Sequence, residues 1–385
     1  MKLSQAIIFF GIVFTVYGLI NYYIYRRAVP VIPDHFKNIF LIAFIFVVVA
    51  YPLGRLLENY WVSYLSDFIV WVGSIWIAIM FYSFFSLIII DLIRIVNYVI
   101  PFFPSVIKQN PEKARMITAF VVSIFVFISV VGGFINTRMI VTKKYSLNIH
   151  KKAGALKSLN IVMASDLHLG TINGKNFAYR VADKINKLKP DIILFAGDII
   201  DEDIKPVLRD SVGNALYELK AKYGVYGITG NHEYIGGVND AVNYLTAHNI
   251  KMIRDSVVKI DNAFYIIGRE DRDSRRFANY NRKNLKTLLA DVDKSLPLIL
   301  MDHQPFKLED AEQHGIDLQL SGHTHNGQLW PLNYLIEKIY EVCWGYKVKG
   351  NTHYYVSCGV GGWGPPARTG SRPEIINIKL KFNSE

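Results

Sequence analysis

The chain has 385 residues, of which 51% are hydrophobic and only 19% are charged, against about 25% charged in a typical soluble domain. This composition excludes a disordered protein, and the presence of only two cysteines excludes a disulfide framework and a cysteine-based zinc site. Its 43 Lys and Arg exceed its 32 Asp and Glu by 11. Such an excess is typical of nucleic-acid-binding proteins or of membrane proteins with basic loops, and its position along the chain distinguishes the two.

The apolar excess lies in the first 137 residues, where four long runs carry no charged side chain. A helix needs about 20 mostly apolar residues to cross a bilayer. Three of the runs are that long, whereas the second is shorter and contains Pro52 near its end, so three spans remain an alternative to four. The sequence therefore predicts an all-α transmembrane bundle over residues 1–137, with helices at about 4–25, 38–54, 66–92 and 116–137.

The first run is predicted to be an uncleaved anchor rather than a signal peptide, because Arg26 and Arg27 follow it and only Lys2 precedes it. The alternative for all four runs is a set of buried helices in a soluble protein, which fits poorly with continuous apolar stretches of this length. We expect an integral, multi-pass protein of the cell membrane (plasma or inner).

Basic residues beside the spans leave the orientation in the membrane open. The loops at 26–37 and 94–115 carry seven Lys and Arg, which favours a cytoplasmic position for both. The segments on the other side also carry seven, most of them in 138–152. Much of the positive charge thus flanks the spans, and residues 151–385, with 31 basic and 27 acidic residues, give little support to nucleic-acid binding.

Residues 138–385 are predicted to form an α/β domain, because short apolar strands alternate there with amphipathic helices. Alternating apolar residues at 140–149 indicate a first strand, and the segment 268–284, rich in Arg, Asp and Asn, indicates a solvated loop. Further strands are predicted at 160–165, 191–196, 225–229, 264–267, 296–301, 317–320, 353–357 and 375–380.

Five of these strands end in polar clusters that combine Asp, Asn and His, at 165–168, 197–201, 230–233, 302–303 and 322–325. Side chains at the carboxyl ends of strands in an α/β sheet converge on one crevice. Asp-x-His and His-x-His place both side chains on one side of an extended segment. Each cluster alone is also typical of a turn or of a structural histidine, but together they indicate a site for divalent Mn, Fe or Zn.

In this order the five clusters resemble the signature of the calcineurin-like metallophosphoesterases, over about residues 150–385. Residues 322–328 (Gly-His-Thr-His-Asn-Gly-Gln), 359–368 and 372–374 are similar to the membrane-associated bacterial branch of that family. Asn326 replaces a glycine that is usual in this branch, and we expect it to be tolerated because Asn adopts left-handed backbone more readily than most residues. The resemblance implies two packed mixed β-sheets flanked by helices.

The resemblance also implies two divalent metal ions that share Asp198. The first ion would be held by Asp166, His168, Asp198 and His325, and the second by Asp198, Asn231, His303 and His323. Two ions about 3.5–4 Å apart can clamp the attacking and leaving oxygens of a phosphoryl displacement. A metal-activated hydroxide is the expected nucleophile, since metal binding lowers the pKa of water towards neutrality.

By the same resemblance His232 lies near the scissile oxygen, as a general acid or charge stabiliser. Asp201 would orient this histidine, or it would instead cap a helix. Glu202 and Asp203 stand where the serine/threonine protein phosphatases of this superfamily have Arg-Gly. A phosphate-gripping arginine is therefore missing at that place, which argues against a phosphoprotein substrate.

Three further features have two interpretations each. Arg368 and Arg372 either contact substrate or form surface ion pairs. Residues 330–346, with apolar side chains at helical spacing, form either a packed core helix or an interfacial helix that admits a lipid head group. Cys343 and Cys358 either pair in an oxidising space or stay as unpaired thiols.

These features predict a membrane-anchored, dinuclear-metal phosphoesterase that hydrolyses a phosphoester or pyrophosphate bond in a small-molecule or lipid-linked substrate. A different class of function is a non-enzymatic membrane scaffold or receptor with a phosphoesterase-like domain, against which the complete set of metal ligands argues. The uncharged runs argue against a transporter, and the weak basicity of 151–385 argues against a nuclease. The oligomeric state stays open.

Overall fold

The computed structural model describes residues 3–383 and separates into two compact units. The first unit comprises the helices up to Ile135 together with Gly364–Ala367, and the second comprises Asn136–Trp363 and the chain from Arg368 onward.

Long helices form the first unit, and each of the four apolar runs lies in one of them. These helices are α1 (Leu3–Ala28), α2 (Lys37–Tyr60), α3 (Tyr64–Val99), the short α4 (Ser105–Gln109) and α5 (Pro111–Asn136). Helix α2 continues through Pro52. Helices α2 and α3 extend past the uncharged runs and therefore also contain the charged residues Arg55, Glu58 and Asp91.

Within the described residues, three segments are long and apolar enough to cross a membrane, namely Asp34–Tyr60, Tyr64–Val99 and Pro111–Asn136. A small residue lets α2 and α3 approach closely, because a Cβ at Gly73 would overlap the backbone of Tyr51. Helix α1 is tied to α3 by a hydrogen bond of 3.0 Å, which Trp76 Nε1 donates to Asn21 Oδ1. Close approach and interhelical hydrogen bonds are the usual means of packing apolar helices.

Two mixed β-sheets form the centre of the second unit. The strands are β1 (Val141–Ile149), β2 (Ser158–Ala164), β3 (Ile192–Ala196), β4 (Val225–Ile228), β5 (Ile250–Met252), β6 (Ser256–Ile260), β7 (Phe264–Gly268), β8 (Leu298–Met301), β9 (Leu318–Ser321), β10 (Gly345–Lys349), β11 (Thr352–Val356) and β12 (Glu374–Phe382). One sheet has the order β1-β12-β2-β3-β4-β5 and the other β10-β11-β9-β8-β7-β6. This architecture confirms the predicted fold class.

Apolar side chains fill the space between the sheets. Ile161 and Met163 of β2 share one fully buried cluster with Ile266 of β7 and Ile299 of β8. Helices cover the outer faces; Val181 and Ile185 of α6, for example, pack against the first sheet at the predicted helical spacing. The helices of this unit are α6 (Lys175–Asn186), α7 (Lys205–Arg209), α8 (Asn214–Tyr217), α9 (Asn231–Gly236), α10 (Val238–Ala247), α11 (Ser274–Ala278), α12 (Leu285–Leu288), α13 (Glu309–Gln313) and α14 (Asn333–Ile339).

The prediction of a solvated loop at 268–284 is wrong for the first part of this segment, whereas residues 275–281 are exposed as predicted. Arg269, Glu270 and Asp271 are buried, and α11 lies inside this segment. Each of these charges has a partner from a distant part of the chain: Arg269 Nη1 lies 3.3 Å from Asp302 Oδ2, and Arg254 Nε lies 2.8 Å from Glu270 Oε2. Pairing of this kind is what makes buried charges tolerable.

Candidate metal centre

The five polar clusters follow the carboxyl ends of strands from both sheets. Strands β2, β3 and β4 are parallel neighbours in the first sheet, and β8 and β9 are parallel neighbours in the second. Because the two sheets pack face to face, the clusters meet at one edge of the sandwich, where their Asp and His side chains are almost all buried.

The first group of possible ligands consists of Asp166, His168 and His325. Each offers one donor atom, and the three atoms lie within 4.8 Å of one another. The Nε2 atoms of His168 and His325 face each other at 3.2 Å, and His325 Nε2 lies 3.5 Å from Asp166 Oδ1. Two imidazole nitrogens and a carboxylate that point at one position suit a cation there.

The second group consists of Asp198, His303 and His323, with Asn231 beside it. His303 Nε2 lies 3.1 Å from Asp198 Oδ2, and His323 Nδ1 lies 2.8 Å from Asn231 Oδ1. His303 Nδ1 lies 2.7 Å from the carbonyl oxygen of Ala196. A hydrogen bond from one ring nitrogen to the backbone is the usual support of a metal-binding histidine, since it leaves the other nitrogen free to bind.

Asp198 lies between the two groups, because its Oδ2 is 3.8 Å from His168 Nε2 on one side and 3.1 Å from His303 Nε2 on the other. Burial acts against its ionised form, but the neighbouring His303 and His232 outweigh burial and hold the pKa of Asp198 well below its usual range. At Asp166, by contrast, burial raises the pKa.

The histidines of the Gly-His-x-His cluster are kept neutral. Burial and, to a smaller extent, the charge of His303 lower the pKa of His323 to about 3. Burial also holds the pKa of His325 well below its usual range. A neutral imidazole offers a lone pair to a metal ion, so the donor set of carboxylate, amide and neutral imidazole fits divalent cations.

The backbone is strained at five of the seven predicted ligands. Left-handed backbone is uncommon for residues other than glycine, and it concentrates at functional sites. The positive φ angles are 53° at Asp166, 46° at His168, 51° at Asp198, 73° at His323 and 48° at His325. Asn326 also has left-handed backbone, with φ 46° and ψ 42°, which confirms the reason for expecting asparagine to be tolerated there.

His232 and Asp201 contact each other beside the two groups. His232 Nδ1 lies 3.0 Å from Asp201 Oδ1, and the His232 ring centroid lies 4.4 Å from that of His168. Burial acts against the charged form of His232, but Asp198 and Asp201 outweigh it and raise its pKa to about 9. The N-cap residue of the following helix α7 is Ile204, so Asp201 does not cap that helix.

Glu233 is a structural element of the site that the sequence analysis left without a role. Its buried carboxylate accepts hydrogen bonds from four backbone N–H groups, those of Asp198, Ile199, Ile200 and Gly230, at 2.6–3.1 Å. Burial raises its pKa to about 7. The sequence does contain a signal for this role, because a Glu three residues after a helix-capping residue is typical of a capping box.

Glycines let the carboxylates approach the backbone of neighbouring clusters. A Cβ at Gly230 would overlap Asp198, and a Cβ at Gly322 would overlap Asp166. Any larger residue at the glycine of the Gly-Asn-His-Glu or Gly-His-x-His cluster would therefore clash with a predicted metal ligand.

Arg368 does not form a surface ion pair. Its side chain is buried, with Nη1 donating to the carbonyl oxygen of Gly359 at 2.8 Å and Nη2 donating to that of Cys358. Nη2 also lies 3.5 Å from His325 Nδ1, on the opposite side of the ring from His168. Arg368 therefore supports His325. Arg372 is exposed, and its Nε lies 3.4 Å from Asn136 Oδ1.

Helix α14 is exposed, so its interpretation as a packed core helix is wrong. None of its residues is buried, and Tyr334, Leu335 and Ile339 are 57%, 55% and 52% exposed. Tyr340, which follows the helix, has its ring centroid 4.7 Å from that of Phe306 and 6.2 Å from that of His323. An exposed apolar surface therefore adjoins the second group of ligands.

The two cysteines are unpaired. The Cys358 thiol is buried and donates to the carbonyl oxygen of Arg372 at 2.9 Å, while Cys343 Sγ is half-buried and lies 3.8 Å from Asn326 Oδ1.

Comparison with known proteins identifies the domain. The family model for calcineurin-like phosphoesterases matches residues 159–327. An uncharacterized metallophosphoesterase of Campylobacter jejuni is 29% identical over 380 residues, covering 97% of this chain and 98% of that protein. One of Aquifex aeolicus is 32% identical over 262 residues, covering 66% of this chain and 98% of that protein. A Danio rerio transmembrane protein with metallophosphoesterase domain is 33% identical over 254 residues, covering 60% and 55%.

The chain spans about 60% of the length of other curated relatives that it matches. The apolar helices and the relative named as a transmembrane protein indicate a membrane protein. The matched segment 159–327 holds all seven predicted ligands, and nearly the whole Aquifex aeolicus protein aligns with this chain. The chain therefore belongs to the calcineurin-like metallophosphoesterases, a family of metal-dependent phosphoester hydrolases.

Proposed function

We propose that the protein is a membrane-anchored metallophosphoesterase that hydrolyses a phosphoester or pyrophosphate bond of a lipid-linked substrate. Residues 1–137 would be the membrane anchor and 138–385 the catalytic domain. The observation that carries the proposal is the position of Asp198 between two groups of buried histidines and carboxylates. One carboxylate shared by two donor groups is the arrangement that two neighbouring cations need.

Two divalent ions, Mn, Fe or Zn, fit the donor atoms at this edge. Such ions lower the pKa of bound water and neutralise charge on a phosphoryl group. Asp198 would be shared, and the remaining ligands would be Asp166, His168 and His325 for one ion and Asn231, His303 and His323 for the other.

Backbone donors hold the two carboxylates in place. The N–H of His323 donates to Asp166 Oδ1 at 2.9 Å, and the N–H of His232 donates to Asp198 Oδ1 at 2.9 Å. The orientation of each carboxylate is thus supported by the backbone of a cluster that follows another strand.

His232 would donate a proton to the leaving oxygen of the substrate. Asp201 lies against its Nδ1, so Nε2 is the ring nitrogen that remains for substrate. Proton transfer from a positioned histidine of this kind raises the rate of the catalysed reaction by about 10²–10⁴-fold. Asp201 would act as a positioning residue, since it touches the histidine and holds its ring.

A lipid-linked substrate is supported by the exposed apolar side chains of α14, which end beside Tyr340 and His323. An exposed apolar helix suits the boundary between head groups and acyl chains. A domain tethered to a bilayer can reach substrates whose phosphate lies at that boundary. The acidic pair Glu202 and Asp203 favours this class over phosphoproteins.

The first experiment measures hydrolysis of p-nitrophenyl phosphate and bis(p-nitrophenyl) phosphate by the purified full-length protein with Mn²⁺. Asp198→Asn should lower activity at least about a hundredfold, because even residues that only support a metal ligand cost about 10–100-fold. Asp291→Asn, at an exposed residue of the same domain, is the matched control and should keep full activity. Equal activity of Asp198→Asn and wild type would contradict the metal centre.

Metal content separates this proposal from a non-enzymatic scaffold. We expect about two ions per chain after gentle purification, and loss of both ions and activity with a chelator. Fewer than about one ion per chain would favour the scaffold. A screen of phospholipids, nucleoside-diphosphate lipids and cyclic nucleotides then tests the substrate class; turnover of cyclic nucleotides alone would refute the lipid-linked substrate and leave the phosphoesterase in place.

A further inference from the structure

A cavity of about 490 Å³ lies within the helices of the first unit, at the end where α1 and α3 finish and α5 begins. Four arginines line it: Arg26 and Arg27 from the end of α1, Arg94 from the last turns of α3, and Arg115 from the second turn of α5. Asp91 contributes the acidic group of the lining. The lining therefore includes four basic side chains and one acidic side chain.

Asp91 neutralises only part of this charge. It forms an ion pair with Arg27, accepts a hydrogen bond from the Tyr23 hydroxyl at 2.6 Å, and lies 3.6 Å from Arg94 Nη1. Within residues 3–383, neither Arg26 nor Arg115 forms an ion pair. The lining thus keeps an excess of guanidinium groups, whose planar donor forks match the oxygens of a phosphate group.

The inner part of the cavity is lined mainly by apolar side chains, together with Ser83, Thr118 and Ser123. Along α3 its lining runs from Arg94 to Ser83, a distance of about 16 Å at 1.5 Å per residue. That length is close to one leaflet of a bilayer whose hydrocarbon core is about 30 Å thick. Phe40, Leu87 and Val122 line this inner part. A basic mouth with an apolar interior of one-leaflet depth matches a phospholipid better than it matches a free anion.

We propose that this cavity binds an anionic phospholipid, with the phosphate on the arginines and the glycerol and first acyl carbons against the apolar lining. Basic pockets between membrane helices are suited to anionic head groups. This site lies in a different unit from the metal centre and shares no residue with it, so it does not depend on the proposed function.

The experiment measures binding of dioctanoyl phosphatidylglycerol to the full-length protein in neutral detergent, by native mass spectrometry. Arg26→Gln with Arg115→Gln should weaken binding about thirtyfold, since each basic residue near a membrane surface contributes about fivefold. Neither arginine has an ion-pair partner among the described residues, so their removal breaks no ion pair that the structure records. Lys108→Gln with Lys113→Gln removes the same charge from exposed residues at the same end, outside the cavity lining, and should change binding by less than about threefold.

Three results would overturn the proposal. An equal loss in the two double variants would mean that surface charge alone attracts the lipid. Equal binding of dioctanoyl phosphatidylcholine would remove the requirement for an anionic head group. Displacement of the lipid by inorganic phosphate at equal concentration would indicate a site for a soluble anion. An unchanged Tm of the full-length protein in both variants serves as the check that the protein is folded.

Discussion

Glu233 controls the loop that carries Asp198, although it is not among the predicted ligands. Its carboxylate accepts four backbone N–H bonds, and glutamine at this position would turn an NH₂ group towards some of those donors. Above its pKa of about 7 the Glu233 carboxylate is ionised, and hydrogen bonds to a charged group contribute about 1.5–3 kcal/mol each. We expect Glu233→Gln to lower the free energy of unfolding by about 3 kcal/mol, which lowers Tm by about 6–12 °C.

The same substitution should weaken Mn²⁺ binding about 10–100-fold, because residues that hold a metal ligand in place affect affinity to that extent. Both effects are measured on the full-length protein, by thermal unfolding and by metal titration. Glu218→Gln removes an exposed carboxylate from the same domain and should leave both quantities unchanged. If the two variants behaved alike, the loop would not depend on Glu233.

At the scale of elements, α14 is the helix that would contact a membrane-presented substrate in the proposed function. Leu335→Gln with Ile339→Gln removes two apolar side chains that are more than half exposed. Each substitution should cost about 1 kcal/mol of the free energy gained when the side chain is buried between lipid head groups and acyl chains. The KM for a lipid-linked phosphoester in vesicles should therefore rise about tenfold or more. Hydrolysis of bis(p-nitrophenyl) phosphate should not change, because this soluble substrate needs no interfacial contact.

The control for α14 is Tyr179→Gln with Leu208→Gln, which removes exposed apolar side chains from α6 and α7. This variant should match wild type on both substrates. Loss of turnover on the soluble substrate in the α14 variant would show that the helix supports the metal centre itself, and would contradict its interfacial role.

The central strands of both sheets could be predicted to within two residues, because continuous apolar runs mark strands that are buried on both faces. Strands β5, β6 and β10 were missed. Strand β5 has only three residues, and the other two lie at sheet edges with one face partly exposed, so they carry no apolar run. The burial of Arg269 and Glu270, at the start of the segment 268–284, could not be predicted because their partners, Asp302 and Arg254, are distant in the chain.

The site, like the fold, could be predicted where local sequence patterns determine it and not where contacts between distant segments do. Polar residues directly after strands could be assigned to one crevice, since the fold class brings strand ends together. The left-handed backbone at His168 and His325 and the support of His325 by Arg368 depend on contacts between segments far apart in the chain. No local pattern encodes such contacts, whereas the role of Glu233 could have been recognised from its capping-box spacing.

At the scale of the whole molecule, the order of apolar helices determines which segments share a side of the membrane. Helices α2, α3 and α5 lie between residue 35 and the second unit, so the proposed anchor predicts that residues 35 and 278 are on opposite sides of the membrane. Helices α2 and α3 lie between residues 35 and 102, so the same proposal predicts that residues 35 and 102 are on the same side. Neither relation depends on whether α1 crosses.

Cysteine labelling tests this topology with a membrane-impermeant maleimide on intact and permeabilised cells. His35→Cys, Phe102→Cys and Ala278→Cys introduce exposed thiols, and a Cys343→Ser background suffices because Cys358 is buried. We expect the labels at 35 and 102 to behave alike and the label at 278 to show the opposite accessibility. The positive charges near the spans divide equally between the two sides, so the experiment also determines which side holds the metal centre. Equal accessibility of all three thiols would mean that at least one of α2, α3 and α5 does not cross the membrane.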